Sequence, residues 1–286
     1  MEIKEIKSAQ SAYPPLLKEI GDPPESFFLS GDEASLHSPA LAIVGTRRAT
    51  ESGRELAGFF SRYLSQAGFV IVSGLAMGID TAAHEAAVEV RGRTVAVLAN
   101  GLDKIYPAQN ENLAKKILAE GGALISEYPA GTPPYKDNFL RRNRLISGLA
   151  WGTIIIEAPE RSGALATARF AGEQGREVFV LPGPVNQPNF TGSHKLIRDG
   201  ARLVSSPRDI LEDLGWEASE EKKEPDASDL EPNEKIILAF IESAGQTVSI
   251  DKIIEITKLQ PQVVSQSLTF LLIKNLIKES GGKYGI

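Results

Sequence analysis

Val70-Ile71-Val72-Ser73-Gly74-Leu75-Ala76-Met77-Gly78-Ile79-Asp80 is the stretch on which the fold turns. An apolar, β-branched run ends in Ser-Gly, a second glycine follows four residues later, and a helical pattern begins at once. That order predicts a buried strand, a tight turn and a helix start, where backbone N–H groups and the helix dipole can face an anion. The Gly-x-Gly-x-x-Gly spacing of dinucleotide-binding turns is missing, so hydride chemistry is not the default expectation.

Outward from this stretch, from Leu41 on, strand-like runs alternate with helical ones. Strands are expected at 41–44, 69–73, 94–99, 123–126, 153–157, 177–181 and 201–204. Between them lie amphipathic segments, with Leu56, Phe60, Tyr63 and Leu64 on one helix face and Leu113, Ala114, Ile117 and Leu118 on another. Gly68, Gly92, Gly121, Gly175 and Gly200 stand where helices should end. Near-continuous apolar strands are covered on both faces, and strict alternation with helices gives a mostly parallel, doubly wound α/β sheet with right-handed crossovers. In such sheets ligands sit beyond the carboxyl ends of the strands.

The flanks read differently. Residues 1–40 carry Tyr13-Pro14-Pro15 and Asp22-Pro23-Pro24, which no continuous helix accommodates, so they are expected to form a lead-in packed on the main domain of residues 41–214, with 27–30 as a possible edge strand. Residues 215–232 lack apolar periodicity and hold seven acids against Lys222 and Lys223, which predicts a mobile acidic linker. Residues 233–286 show three helical patterns (Ile236, Ile237, Phe240 and Ile241; Ile250, Ile253 and Ile254; Val264, Leu268, Leu271 and Leu272) followed by a hairpin-like end, which predicts a small winged helix.

Composition narrows the function classes. A 286-residue chain with 42% hydrophobic and 24% charged residues is ordinary globular protein. It lacks both a long apolar run and a signal-peptide pattern, so a cytoplasmic protein without membrane association is expected. The absence of cysteine removes disulfides, thiolate catalysis and cysteine metal sites, and His37, His84 and His194 have no ligand spacing, so neither a metal nor a cofactor is expected. The net charge of −6 argues against indiscriminate polyanion binding, but the acidic linker supplies most of it. A near-neutral main domain still has room for a local basic patch.

Four turns at expected strand ends are candidates for binding. Gly45-Thr46-Arg47-Arg48 combines close backbone approach, a hydroxyl and a planar guanidinium suited to phosphate oxygens, or is a helix start with solvated arginines. Ser73 through Asp80 is an anion cradle, or Gly74 and Gly78 only solve turn geometry while Asp80 and Thr81 cap the helix. Phe139-Leu140-Arg141-Arg142-Asn143-Arg144 pairs arginines with an aromatic, as a nucleic-acid backbone with a stacked base requires, or is a solvated helix face. Its three arginines cannot share one face, so at least one should be solvated. Ser162-Gly163 opens a further helix, and Lys195 falls near the same edge. Each signal is weak singly; their repetition at successive strand ends is what points to a ligand. Neither a Gly-x-Ser-x-Gly elbow nor a Walker Gly-Lys-Ser/Thr occurs, and the acids Asp80, Asp103, Glu127 and Glu157 are isolated, although a hydrolytic use of Glu127 or Glu157 stays open.

Five ordered motifs carry a resemblance: Gly45-Thr46-Arg47; Ser73-Gly74 through Gly78-Ile79-Asp80; Phe139-x-x-Arg142-Asn143-Arg144; Ser162-Gly163-x-Leu-x-Thr167-Ala168; and Leu181-Pro182-Gly183 followed by Leu196-Ile197-x-x-Gly200-Ala201. From about Tyr13 to Leu214 the chain resembles DNA-processing protein A, the DprA/Smf family. The resemblance implies an extended Rossmann-like domain that binds single-stranded DNA without nuclease or ATPase activity. It further implies a homodimer that protects incoming strands in natural transformation and loads the RecA recombinase. It assigns Arg47 to DNA phosphate, and Gly45, Thr46, Ser73, Gly74, Phe139, Arg142, Asn143, Arg144, Ser162 and Gly163 to the same pocket, with Lys195 placed there only by position. Many members begin with a helical domain whose trailing linker alone is recognised here, around Tyr13–Asp32. His194 stands where an asparagine is frequent, and the expected recognition helix, Gln260–Thr269, lacks Lys and Arg. The alternative is a Rossmann-like nucleotide phosphoribohydrolase. Its Pro-Gly-Gly-x-Gly-Thr stretch before a glutamate is missing, replaced by Ala158-Pro159-Glu160-Arg161-Ser162-Gly163.

Overall fold

The computed structural model describes residues 2–216, 230–244, 247–274 and 276–285. The acidic linker expected over 215–232 thus lies largely outside the described residues. The chain divides into two compact units, Met1–Ser219 and Glu220–Ile286.

The first unit is built on a nine-stranded sheet. Its strands are β1 (Lys4–Lys7), β2 (Ser26–Gly31), β3 (Ala40–Val44), β4 (Val70–Ser73), β5 (Thr94–Leu98), β6 (Ala123–Ser126), β7 (Gly152–Ile155), β8 (Glu177–Val180) and β9 (Arg202–Leu203). In space the order is β1-β2-β6-β5-β4-β3-β7-β8-β9. All pairings from β6 to β9 are parallel, while β2 joins β6, and β1 joins β2, antiparallel. The helices are α1 (Pro15–Lys18), α2 (Glu51–Gln66), α3 (Ile79–Glu89), α4 (Glu111–Ala119), α5 (Lys136–Gly148), α6 (Gly163–Glu173), α7 (Thr191–Arg198) and α8 (Pro207–Asp213). This is the doubly wound, Rossmann-like α/β architecture that the alternation of the sequence implies.

The central strands form where they do because their side chains leave water on both faces. Every residue of β3, β4, β5 and β6 is buried, and a fully buried Val, Ile or Leu contributes roughly 1.5–3 kcal/mol of transfer free energy. The first forty residues are part of the same sheet through β1 and β2. Ile6, Tyr13, Leu17, Ile20, Phe27 and Leu29 enter the main core beside Leu145, Ile146 and Leu149 of α5.

The strand order reverses between β3 and β7, the two strands that begin opposite halves of the winding. Open α/β sheets bind ligands in the crevice at such a point. Here the turn after β3 is stitched to the one after β7, since the Thr46 amide donates to the Glu157 carbonyl at 2.8 Å.

The second unit has helices α9 (Pro232–Ala244), α10 (Ile250–Thr257) and α11 (Pro261–Ile273) and strands β10 (Val248–Ser249), β11 (Lys278–Ser280) and β12 (Lys283–Gly285). Its sheet runs β10-β12-β11, antiparallel throughout. Ile237, Ile241, Ile253, Val264, Leu268 and Leu271 form its core. At the edge of that core Lys274 donates to Glu234 at 2.5 Å, which neutralises a carboxylate that is itself almost fully buried.

Candidate nucleic-acid interface

At the carboxyl ends of β3, β4 and β5 lies a small open cleft lined by Arg47, Gly74, Ala76, Met77, Ala99, Tyr106, Pro107, Phe139 and Arg142. Three of its walls are strand-end turns and the fourth is the start of α5.

Arg47 follows β3 and is exposed. Its guanidinium carbon sits 5.0 Å from the centroid of the Phe139 ring, a cation–π distance that steadies the planar fork while the residue stays exposed. Gly78 makes room for this turn. Its φ is +86°, and a Cβ there would lie 2.5 Å from the Thr46 carbonyl and 2.8 Å from that of Arg47, so a side chain would meet both backbone strain and collision. Thr46 closes the turn by accepting the Arg48 amide on Oγ1 at 3.2 Å.

Arg142 lies in the floor, only 4% exposed. It donates to the Gly74 carbonyl at 2.8 Å and to the Val97 carbonyl, ties Nε to Oδ1 of Asn143 at 3.2 Å, and approaches the Phe139 ring at 6.0 Å. A Cβ on Gly74 would stand 2.7 Å from this guanidinium, which explains a glycine at the end of β4. Beneath it the Asp80 carboxylate accepts the Gly74 and Ala76 amides at 3.1 and 3.4 Å. Burial pushes the Asp80 carboxyl up and the Arg142 charge pulls it back. Burial lowers Arg142 to about 10, countered by Asp80 and reinforced by Arg47, so Arg142 stays cationic at neutral pH. Arg142 thus braces the turn and the ring, and Arg47 is the arginine free to meet a ligand.

The remaining expected site residues separate into two groups. Gly45, Thr46, Ser73 and Asn143 lie directly behind the cleft. The Ser73 hydroxyl is fully buried and donates to the Ile43 carbonyl at 2.6 Å, clamping β4 to β3. Asn143 relays the floor to the start of α6, donating from Nδ2 to the Gly163 carbonyl at 3.2 Å. Ser162 caps that helix through the Ala164 amide at 3.2 Å. Arg144 and Lys195 are not brought to the cleft. Arg144 is buried and makes a two-pronged bridge to Glu127 at 2.6 and 2.7 Å, with the Asp22 carbonyl at 2.7 Å. Lys195 is exposed on α7 and lines no part of the cleft. Arg141 is the solvated arginine of the trio, at 58% side-chain exposure.

Both carboxylates that sequence left open for hydrolysis are engaged in structure. Glu127 holds Arg144. Glu157 is fully buried, accepting the Thr50 amide at 3.1 Å, the Thr50 hydroxyl at 2.5 Å and Nδ2 of Asn189 at 2.8 Å. It anchors the start of α2, where Thr50 is the N-cap, and a carboxylate suits that end of the helix dipole. Met77 falls within the Ser73–Asp80 motif but was given no role of its own, and Tyr106 lies outside every motif. Tyr106 sits between elements with no glycine or charge signature, although an aromatic next to proline after a strand end is the cue it offers. Among the described residues no cluster of His, Asp or Glu could hold a metal, and no helix is long and apolar enough to cross a membrane.

Fold and cleft together define a class: a Rossmann-like α/β protein without a dinucleotide fingerprint, whose strand-end groove presents a free guanidinium on an aromatic ring. The family model of DNA recombination-mediator protein A matches residues 4–215, and the chain belongs to that family. Protein Smf of Escherichia coli is 43% identical over 283 residues, covering 97% of this chain and 76% of that protein. The DNA processing protein DprA of Bacillus subtilis is 43% identical over 213 residues, 74% and 71% of the two chains. Among solved structures, DprA of Streptococcus pneumoniae superposes with a TM-score of 0.70 at 40% identity over 74% of each chain. DNA processing protein A of Helicobacter pylori, whose structure addresses its single-stranded DNA binding mode, gives 0.67 at 32% identity over 75% of this chain and 96% of that one.

Proposed function

We propose that this chain is a single-stranded DNA-binding recombination mediator without catalytic activity of its own, acting in the cytoplasm as a homodimer to protect incoming strands and load a RecA-type recombinase. The observation that carries the DNA-binding part is the exposed Arg47 guanidinium 5.0 Å over Phe139. It sets a phosphate-matching fork beside aromatic faces on which bases stack, the combination by which single strands are held without sequence readout. The Helicobacter pylori relative, described for its single-stranded DNA binding mode, supports the same ligand. The groups proposed to meet the strand are Arg47, Gly74 and Phe139, with Arg142, Gly45, Thr46, Ser73, Asn143, Ser162 and Gly163 as the frame that holds them.

The second unit, with three helices and a three-stranded sheet, is best understood as a winged helix. Its α11 carries neither Lys nor Arg, and phosphate contacts supply most sequence-independent affinity, so it contributes little to duplex binding and is assigned to protein contact. Mixing the full chain with labelled single-stranded and duplex oligonucleotides of equal length tests the assignment. Binding that favours the single strand supports it, and equal or duplex-preferring binding overturns it. Faster recombinase assembly on a protein-coated strand is the corresponding test of the loading role.

A further inference from the structure

Leu181-Pro182-Gly183, the start of the fifth sequence motif, opens a loop that lines no part of the cleft. Residues 182–190 follow β8 and lead into α7, and this stretch is pinned at both ends. The Phe190 ring lies against Gly183, where a Cβ would stand 2.3 Å from it, and stacks on His194 with centroids 6.4 Å apart. Nε2 of His194 lies 3.0 Å from the Gly183 carbonyl, so that nitrogen carries the proton and donates. At the start of α7 the Gly192 amide donates to the Ala158 carbonyl at 2.8 Å, and Ser193 accepts the Ala158 amide on Oγ at 3.2 Å. From this fixed loop one side chain reaches toward the Arg47 turn. Nδ2 of Asn189 donates to the Arg48 carbonyl at 3.2 Å and to Oε2 of Glu157 at 2.8 Å. Two acceptors face that nitrogen, and a side-chain amide has one hydrogen for each.

We propose that Asn189 is a positioning residue for Arg47. The inference rests on the DNA-binding reading above, in which Arg47 meets a phosphate. The turn that carries Arg47 is held one residue to either side: the Thr46 amide by the Glu157 carbonyl at 2.8 Å, and the Arg48 carbonyl by Asn189. Glu157 is itself immobile, being fully buried and bonded to the Thr50 amide and hydroxyl. Asn189 thus ties the exit of the Arg47 turn to a fixed carboxylate. Without that tie the Arg48 peptide is free to rotate, and the guanidinium spreads over orientations other than the one beside Phe139. A strand must then order it on binding, at an entropic cost that the native turn has already met.

The test titrates the full chain with a short oligothymidylate over a range of salt concentrations. Asn189→Ala lowers affinity about two- to tenfold, the range one hydrogen bond is worth, and makes log K against log salt shallower, toward the slope of Arg47→Ala. Asn189→Asp keeps the shape but donates nothing and brings a second carboxylate against Glu157, so it binds no better than Asn189→Ala. In the Arg47→Ala background Asn189→Ala changes nothing further, because its effect runs through that arginine. Wild-type affinity and slope in Asn189→Ala overturn the proposal. So does a lower melting midpoint with an unchanged salt slope, which makes the residue structural only. Losses that add in the double substitution also overturn it, because Asn189 then meets the strand itself. If wild type does not bind the strand, the DNA-binding reading fails, and this inference with it.

Discussion

Arg142 and Asp80 form a buried, opposite-charge pair under the turn that closes β4, each contacting that turn from a different side: Arg142 holds the Gly74 carbonyl at 2.8 Å and Asp80 the Gly74 amide at 3.1 Å. The peptide groups on either side of Gly74 are thereby fixed before any ligand arrives, and so is the position of Phe139 above them. The floor is preorganised and charge-balanced, which leaves Arg47 as the unneutralised cation of the cleft. The consequences can be separated by substitution.

Arg144 is a structural cation, in contrast to Arg47. Arg144→Ala strips the half-buried Glu127 of its two-pronged partner and leaves it only the exposed Arg141 at 3.1 Å, and removing one member of a mostly buried pair costs up to about 3–5 kcal/mol. Urea denaturation should show that loss, while the salt dependence of strand binding by the folded fraction stays at the wild-type slope. A changed slope would return Arg144 to the ligand.

His84 makes the fold acid-sensitive. Its Nδ1 faces the Thr94 hydroxyl at 2.7 Å, and that hydroxyl donates to the Ile71 carbonyl, so Nδ1 carries the proton and Nε2 is buried without a hydrogen-bond partner. Burial, with the Arg142 charge adding to it, pushes His84 from 6.5 down to about 3. Between those values the unfolded chain holds a proton that the native state refuses. The stabilising effect of a neutral His84 is therefore complete above about pH 6.5 and is lost as pH falls toward about 3, at up to about 1.4 kcal/mol per pH unit. Stability measured from pH 7 to 4.5 should fall more steeply for wild type than for His84→Gln; parallel curves would contradict this.

Glu157→Gln tests the enzymatic alternative. Oε2 accepts both the Thr50 amide and Nδ2 of Asn189 while Oε1 accepts the Thr50 hydroxyl, so the single oxygen of a glutamine replaces only one of the two, and each lost bond to a buried group costs about 1–3 kcal/mol. The expected result is lower stability with strand binding retained, and no free base released from nucleoside monophosphates by either form. Base release by wild type that the substitution abolishes would establish Glu157 as catalytic instead.

How far the sequence anticipates this structure depends on where each residue's partners lie. β3 to β8 were legible because short, mostly apolar and β-branched runs set between helical patterns and glycine turns read as strands. β1 was not, because Lys4-Glu5-Ile6-Lys7 buries a single side chain and its register is set by β2 from across a long loop. In the cleft, Gly45, Gly74 and Gly78 could be read from turn chemistry. The division of labour among Arg47, Arg142 and Arg144 could not, because the groups that claim the last two, Asp80, Glu127 and Asp22, are distant in sequence and adjacent only in the fold. Tyr106 was hidden for the same reason, since its partner Phe139 stands on another element.

In the proposed function Arg47 contacts a phosphate of a single DNA strand in the cleft beside Phe139. The most direct measurement is the affinity of wild type and Arg47→Ala for a short oligothymidylate across a range of salt concentrations. One phosphate contact to a single strand contributes about 0.7 to the slope of log K against log salt. The expected result is weaker binding by Arg47→Ala with a shallower slope by about that amount, at unchanged thermal stability. Equal slopes for the two proteins would remove Arg47 from the phosphate path and contradict the account.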